Sequence, residues 1–193
     1  ERVRHAVVQT KPHFKNFLFA RHEFAENAVD VVFQQLQRSH AIRRFAPLIV
    51  GAGDVRAGGR SRETPVLGST AELMDIRQME IAQGSFLPQG DPRHSQPVCV
   101  VGAKMAGELF GSRPALGEWV RIGDRRFRVI GILSAQGQSL GFNTDEIVIV
   151  PLAAAQALFN TESLFRVLVE AKSREQIRYA KEDVEEIIRL RHE

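Results

Sequence analysis

VCVVGAKMAGELFGSRPALGEWVRIGDRRFRVIGIL, residues 98–133, changes its hydrophobic period twice, and those changes decide how the middle of the chain folds. The opening run is apolar at consecutive positions, the pattern of a short strand covered on both faces, over residues 97–101. Residues 104–110 then read as a short helix anchored by Leu109 and Phe110. Gly111 closes it, at the position where glycine most readily takes a left-handed cap. Gly111 and Gly117 allow the turns that bracket Pro114. Residues 119–122 and 127–133 alternate across Gly123-Asp124, a pair suited to a tight hairpin. Gly131, inside the second of these strands, marks a point where a neighbour packs closely.

Beyond this stretch, residues 147–150 form another strand stopped by Pro151, a short helix covers 153–158, and 164–171 is a strand. Residues 174–189 repeat at helical period, with Ile177, Ala180, Val184, Ile187 and Ile188 on one side. Arg178, Lys181, Glu182, Glu185 and Arg189 make the other, a solvated face whose i,i+4 ion pairs contribute about 0.2 to 0.5 kcal/mol each. Towards the N-terminus, residues 15–21 read as a strand, and Asn27 with Asp30 gives a capping-box-like helix start. Ala28, Val29, Val32, Phe33 and Leu36 share a face of that helix, which ends near Ser39, and a strand over 41–50 follows.

From residue 51 the composition changes. GAGDVRAGGRSRE, residues 51–63, is rich in Gly and Arg, residues 64–68 are a short strand-like piece, and 72–82 lead into the turn-rich QGSFLPQGDPR. The two chain ends thus match, strand plus helix at each, while the middle is short strands and turns. The expected fold is α+β in two lobes: a β-α-β lobe built from residues 1–50 and 161–193, and an inserted strand-rich lobe over 51–160.

The 193 residues, 44% hydrophobic, supply a real core. A net charge of +3, from 26 basic and 23 acidic residues interspersed along the chain, gives no nucleic-acid footprint. Arg121, Arg125, Arg126 and Arg128 cluster on the hairpin and read as a solvated strand face. Cys99 has no partner for an internal disulfide and reads as a core thiol. No run approaches the ~20 apolar residues of a membrane helix, and these residues are not expected to include a signal peptide. The sequence begins at Glu1 and stops at Glu193, directly after an amphipathic helical pattern, and is expected to be a piece of a longer protein.

Chemical motifs fail one after another. GAGDVR is a partial G-x-G-x-x-G without its third glycine, and no G-x-x-x-x-G-K-[ST] occurs, so no cofactor site is expected. His5, His13, His22, His40, His94 and His192 are scattered without metal-ligand spacing, and His22-Glu23 lacks the second histidine of a zinc-protease motif. GQSLG, residues 137–141, fits the G-x-S-x-G nucleophile elbow, which needs a helix after the serine. Residues 142–151, FNTDEIVIVP, are instead a turn and then a strand. The histidine downstream is His192, and Asp145 lies too close in sequence for the separated acid of a triad. Asp145-Glu146 sits at a turn with no second acid facing it. No catalytic residue and no metal site is expected.

Residues 98–133 resemble the core signature of the extracytoplasmic domain of MacB-type ABC transporter permeases: strand, short helix ending L-F-G, P-x-L-G, hairpin, and V-I-G-(I/V)-L. Three further blocks are similar to that family in order and spacing: MEIAQGSFLPQGD (79–91), NTDEIVIVPLAAAQALF (143–159) and IIRLRHE (187–193). Ser85 stands where the family usually has arginine, and Trp119 where a lysine-containing segment is common.

The resemblance implies a non-catalytic domain between membrane helices, on the periplasmic side of the bacterial inner membrane. Its end-built lobe would be porter-like and its inserted lobe sabre-like. The partners implied are a second permease copy, a separate or fused cytoplasmic ATPase, and a periplasmic adaptor or exported substrate. Its role would be to transmit ATP-driven movement, with residues 174–189 as lever. The loop over 135–143, with Gln138, Leu140 and Phe142 amid Gly and Gln, reads either as an exposed partner contact or as a loop whose Phe142 tucks back into the core. Rival readings are a lipoprotein-handling or signalling domain of a related permease, and a serine hydrolase using Ser139.

Overall fold

A computed structural model of the chain describes residues 17–20, 28–139, 142–161 and 164–189. In chain order the first elements are β1 (Phe17–Ala20), α1 (Ala28–Arg38), β2 (Ile42–Ala57), β3 (Arg60–Ser69), α2 (Glu72–Arg77) and β4 (Ile81–Gly84). Next come β5 (Val98–Val101), α3 (Ala103–Phe110), β6 (Trp119–Ile122), β7 (Arg125–Leu133), β8 (Gln138–Ser139) and β9 (Phe142–Asn143). After a 3-10 turn at Thr144–Glu146, the chain ends in β10 (Val148–Pro151), α4 (Leu152–Phe159), β11 (Arg166–Ala171) and α5 (Ile177–Arg189). The fold is α+β, helices on mixed sheet, and divides into two units, residues 1–48 with 162–193 and residues 49–161.

In the first unit, β11 runs antiparallel to both β1 and the start of β2. β1, α1 and β2 therefore make a split β-α-β, with the returning strand inserted between its two strands. The helical repeat explains the cover: Ala180, Val184 and Ile187 of α5 are buried, as are Phe33 and Leu36 of α1. The Phe33 and Phe45 rings pack with centroids 5.3 Å apart. On the opposite face of α5, Arg178 pairs with Glu182 at 3.1 Å and Lys181 with Glu185 at 3.7 Å, as the spacing predicts. Regular helix begins at Ile177, three residues later than expected. Asn27, the expected cap of α1, lies outside the described residues.

The second unit corrects one expectation. The strand predicted to stop near Val50 continues to Ala57, and GAGDVR is sheet rather than loop. Its backbone is taken up by an antiparallel ladder with β3 that runs unbroken from Ile49↔Gly68 to Ala57↔Arg60. Gly58 and Gly59 make the turn with φ of 55° and 82°, the left-handed pair that a two-residue hairpin loop requires. Gly51 is glycine because α4 lies against it: a Cβ there would fall 2.3 Å from the Phe159 ring. No phosphate-cradling loop exists at this position.

From β2 the pairing proceeds to β3, to parallel β10, to antiparallel β5, to parallel β7, and by the β7–β6 hairpin to β6. β6 in turn pairs with β2 through Val55↔Ile122 and Arg56↔Arg121, so the six strands close a ring. Val55, Val66, Val120, Ile122, Phe127 and Val129 are buried in it. β4 adds to the side of β7 beyond the end of β6, at Gly131 and its neighbours. There the sequence expectation for Gly131 is met: a Cβ would lie 2.0 Å from the Ser85 carbonyl oxygen. Met105, Ala106, Leu109 and Phe110 bury one face of α3, and Gly111 with φ 62° ends it.

Candidate functional site

The expected contact loop is built on a short hairpin. Gln138 pairs with Asn143 and Ser139 with Phe142. Its base is tied from below by three consecutive residues. Thr144, buried to 1% exposure, donates its backbone N–H and its hydroxyl to the Gly137 carbonyl at 2.9 and 2.7 Å. Asp145 Oδ1 accepts the amides of Gln136 and Gly137 at 3.0 and 3.3 Å. Asn143 Oδ1 accepts the Asp145 amide at 3.1 Å and so caps the 3-10 turn. Gln136 Nε2 reaches the Gln78 carbonyl at 3.3 Å, tethering the loop to the end of α2.

Of the three expected contact residues, Gln138 and Phe142 sit on opposite strands of this hairpin, one residue pair apart. Leu140, and the side chains of Gln138 and Phe142, lie outside the described residues. Sequence reasoning missed Asn143 and Asp145 as the anchors. The signal was present in N-T-D-E, since Asn and Asp side chains compete for nearby backbone amides.

The same geometry decides the chemistry. Ser139 ends β8, which pairs with β9, and β9 is followed by a 3-10 turn rather than by the helix that a nucleophile elbow needs. Asp145, the nearby acid, is engaged by loop amides. His94 stands beside Asp91, Nδ1 to Oδ2 3.7 Å, and hydrogen bonds from Arg93 hold the Asp91 carboxyl well below the usual carboxylate range. Cys99 is fully buried, and burial pushes its thiol up, away from the thiolate that a nucleophile needs. Lys104 of α3 hydrogen-bonds Glu146 of the 3-10 turn, which raises the lysine and lowers the glutamate. Among the described residues no group of three or more His, Cys, Asp or Glu side chains is placed to hold a metal ion. No helix among them is long and apolar enough to cross a membrane.

The turn after the 135–143 loop is thus held by Asn143, Thr144 and Asp145 on an α+β scaffold. The chain belongs to the MacB-like periplasmic core domain family, whose model matches residues 4–187. It is 30% identical over 161 residues to the macrolide export ATP-binding/permease protein MacB of Chlorobium luteolum, which covers 82% of this chain and 24% of that protein. It is 31% identical over 151 residues to the pyoverdine export ATP-binding/permease protein PvdT of Pseudomonas entomophila, 76% of this chain and 23% of that protein. The chain thus spans about a quarter of the length of the curated relatives it matches. Its fold is similar to the crystal structure of the periplasmic region of MacB from Actinobacillus actinomycetemcomitans. The TM-score is 0.76 at 17% identity, covering 91% of this chain and 83% of that one.

Proposed function

We propose that this chain is the extracytoplasmic domain of an ABC export permease, on the periplasmic face of the inner membrane. In this reading it carries ATP-driven movement of the membrane helices outward and touches substrate or a periplasmic adaptor, while a cytoplasmic ATPase, fused or separate, hydrolyses ATP. The observation that carries the reading is the family match across residues 4–187. Two relatives named for unlike cargoes, a macrolide and pyoverdine, support a mechanical role over recognition of one cargo.

The functional parts are assigned accordingly. Residues 1–50 and 161–193 form a porter-like lobe and residues 51–160 a sabre-like lobe. Two copies of the permease act together. The hairpin with Gln138, Leu140 and Phe142 meets the partner, its stem fixed by Thr144 and Asp145. α5 is the lever: its buried Ala180, Val184 and Ile187 fix it to its own unit, so that movement at its end moves that unit.

The test is to insert a short flexible Gly-Ser segment after Arg189 in the intact protein. Export should fall while ATP hydrolysis continues. Export at the parent rate would refute the lever.

A further inference from the structure

The arginine cluster noted in the sequence is more ordered than a solvated strand face. On the outer side of the ring, Arg121 stands directly opposite Arg126 on β7 and directly opposite Arg56 on β2. Trp119 stands opposite Arg128 one alternate position along. Like charges directly opposite one another destabilise a sheet, and nothing in the core requires them, since these side chains point outward. Arg56 is neutralised by Asp54 at 2.5 Å. The other three meet no carboxylate among the described residues: Arg121 Nε donates to the Gly123 carbonyl at 3.0 Å and Arg128 Nε to the Gly117 carbonyl at 3.2 Å. Among the described residues no side chain pairs with the Arg126 guanidinium. The two carbonyl bonds hold the Arg121 and Arg128 forks in place while leaving their remaining N–H groups free to face outward.

Beside this row the surface turns apolar. Trp119 is 50% exposed and Leu116, three residues earlier, 37%; these are two of the three large exposed hydrophobic side chains among the described residues. A tryptophan set among arginines is the composition of a protein-docking centre rather than of a general charged surface. The row spans about 10 Å across strands and about 7 Å along them, on the outside of a sheet. That is too flat for a small-molecule site, which is concave. Lipid headgroups are met by clusters of basic side chains whose attraction depends on number rather than alignment. Here the spacing is fixed by the ladder.

The geometry points to a docking surface at Trp119, Arg121, Arg126 and Arg128 for an acidic, extended segment of a protein partner. Arg126 and Arg128 lie two residues apart on one strand. A facing extended chain with a carboxylate at every second residue repeats that spacing, so each acid meets an arginine, and Trp119, opposite Arg128, packs against the acids' methylene stems and the backbone between them. This surface is separate in sequence from the 135–143 loop and does not depend on what the permease exports.

The test uses the intact protein and a fluorescein-labelled peptide, Glu-Val-Glu-Thr-Glu-Val-Glu, by fluorescence anisotropy at low salt. A peptide of the same composition with its acids clustered, Glu-Glu-Val-Thr-Val-Glu-Glu, and vesicles containing phosphatidylglycerol are run beside it. Binding of the alternating peptide should be saturable and at least tenfold tighter than that of the clustered one. It should weaken at least tenfold in R121Q with R126Q, and at least fivefold in Trp119→Ala. The charge-matched pair Lys172→Gln with Arg174→Gln, exposed in the other unit, should change it less than twofold. The R121Q/R126Q protein should unfold at an equal or higher urea concentration than the parent, which separates lost docking from lost structure. The proposal is overturned by no saturable binding, by equal weakening in the control pair, or by indifference to Trp119. Vesicle binding that outcompetes the peptide and depends on the same arginines would also overturn it, in favour of a lipid surface.

Discussion

Gly131→Ala tests whether the β4–β7 junction rests on backbone contact. A Cβ at this position would stand 2.0 Å from the Ser85 carbonyl oxygen and 3.0 Å from its carbon, so about 1 Å of separation must be found. The obstacle is backbone, not the end of a flexible side chain, and it is held: the Ser85 amide donates to the Ile130 carbonyl at 2.9 Å, and Gly84 pairs with Gly131. Overpacking of this kind costs about 1 to 3 kcal/mol. Loss of the Ser85 hydrogen bond adds about 0.5 to 1.5 kcal/mol. The expected destabilisation is therefore about 3 kcal/mol. With an m-value of about 2 kcal/mol/M, the urea midpoint falls by roughly 1.5 M. Trp119, the chain's single tryptophan, lies in the same unit and reports its unfolding by fluorescence. Gly107→Ala is the control: it is the same chemical change on the exposed face of α3, with nothing within 4 Å, and should stabilise by about 0.5 to 1 kcal/mol. If Gly131→Ala moves the midpoint no further than Gly107→Ala, close approach of β4 is not what glycine provides there.

Asp145→Ala removes the acceptor of two loop amides, so hydrogen exchange at Gln136 and Gly137 should accelerate at least tenfold while β7 and β10 stay protected; unchanged exchange would show that Thr144 alone holds the stem. Phe127→Ala, at 2% exposure inside the ring, should lower stability by about 3 to 5 kcal/mol, read from the urea midpoint. Glu146 is held below its ordinary value by Lys104. Its contribution is therefore complete above the usual glutamate range and is lost as pH falls below it. Unfolding measured from pH 7 to pH 3 should fall more steeply in the parent than in Glu146→Gln, and identical slopes would contradict the pairing. Ser139→Ala should leave export by the intact protein unchanged, and a loss of more than half would restore a role for that hydroxyl.

Elements whose signal is local were legible in the sequence. β6 and β7 alternate cleanly around Gly123-Asp124, and α3 and α5 carry strong apolar faces, so each stands within a few residues of its expected position. The extension of β2 was hidden because Gly51 and Gly53 are poor strand formers, tolerated since Phe159 and Ile122 occupy the space their side chains would fill. That reason lies about a hundred residues away in the case of Phe159, and no local window contains it. The parallel pairings β3–β10 and β5–β7 were illegible on the same ground, because register between distant strands is written in packing. At the loop, GQSLG advertised a serine, whereas the residues that shape the site are Asn143, Thr144 and Asp145 just after it. The arginines were visible as a cluster. Their alignment with Arg56 depends on the β2–β6 pairing and could not be seen.

That β2–β6 pairing, only two residue pairs long, also governs how the second unit behaves towards other chains. An open sheet ends in rows of unpaired N–H and C=O groups that recruit strands from neighbouring molecules. By returning to β2, the ladder leaves β4 as the strand at the end of the path, and β4 is four residues long with its register shifted between Ile81 and Gln83. A short, bulged border is a poor template. In the second unit the large sheet thus meets neighbouring chains with a short, bulged border, so the order of its strands disfavours edge-to-edge pairing as well as setting shape.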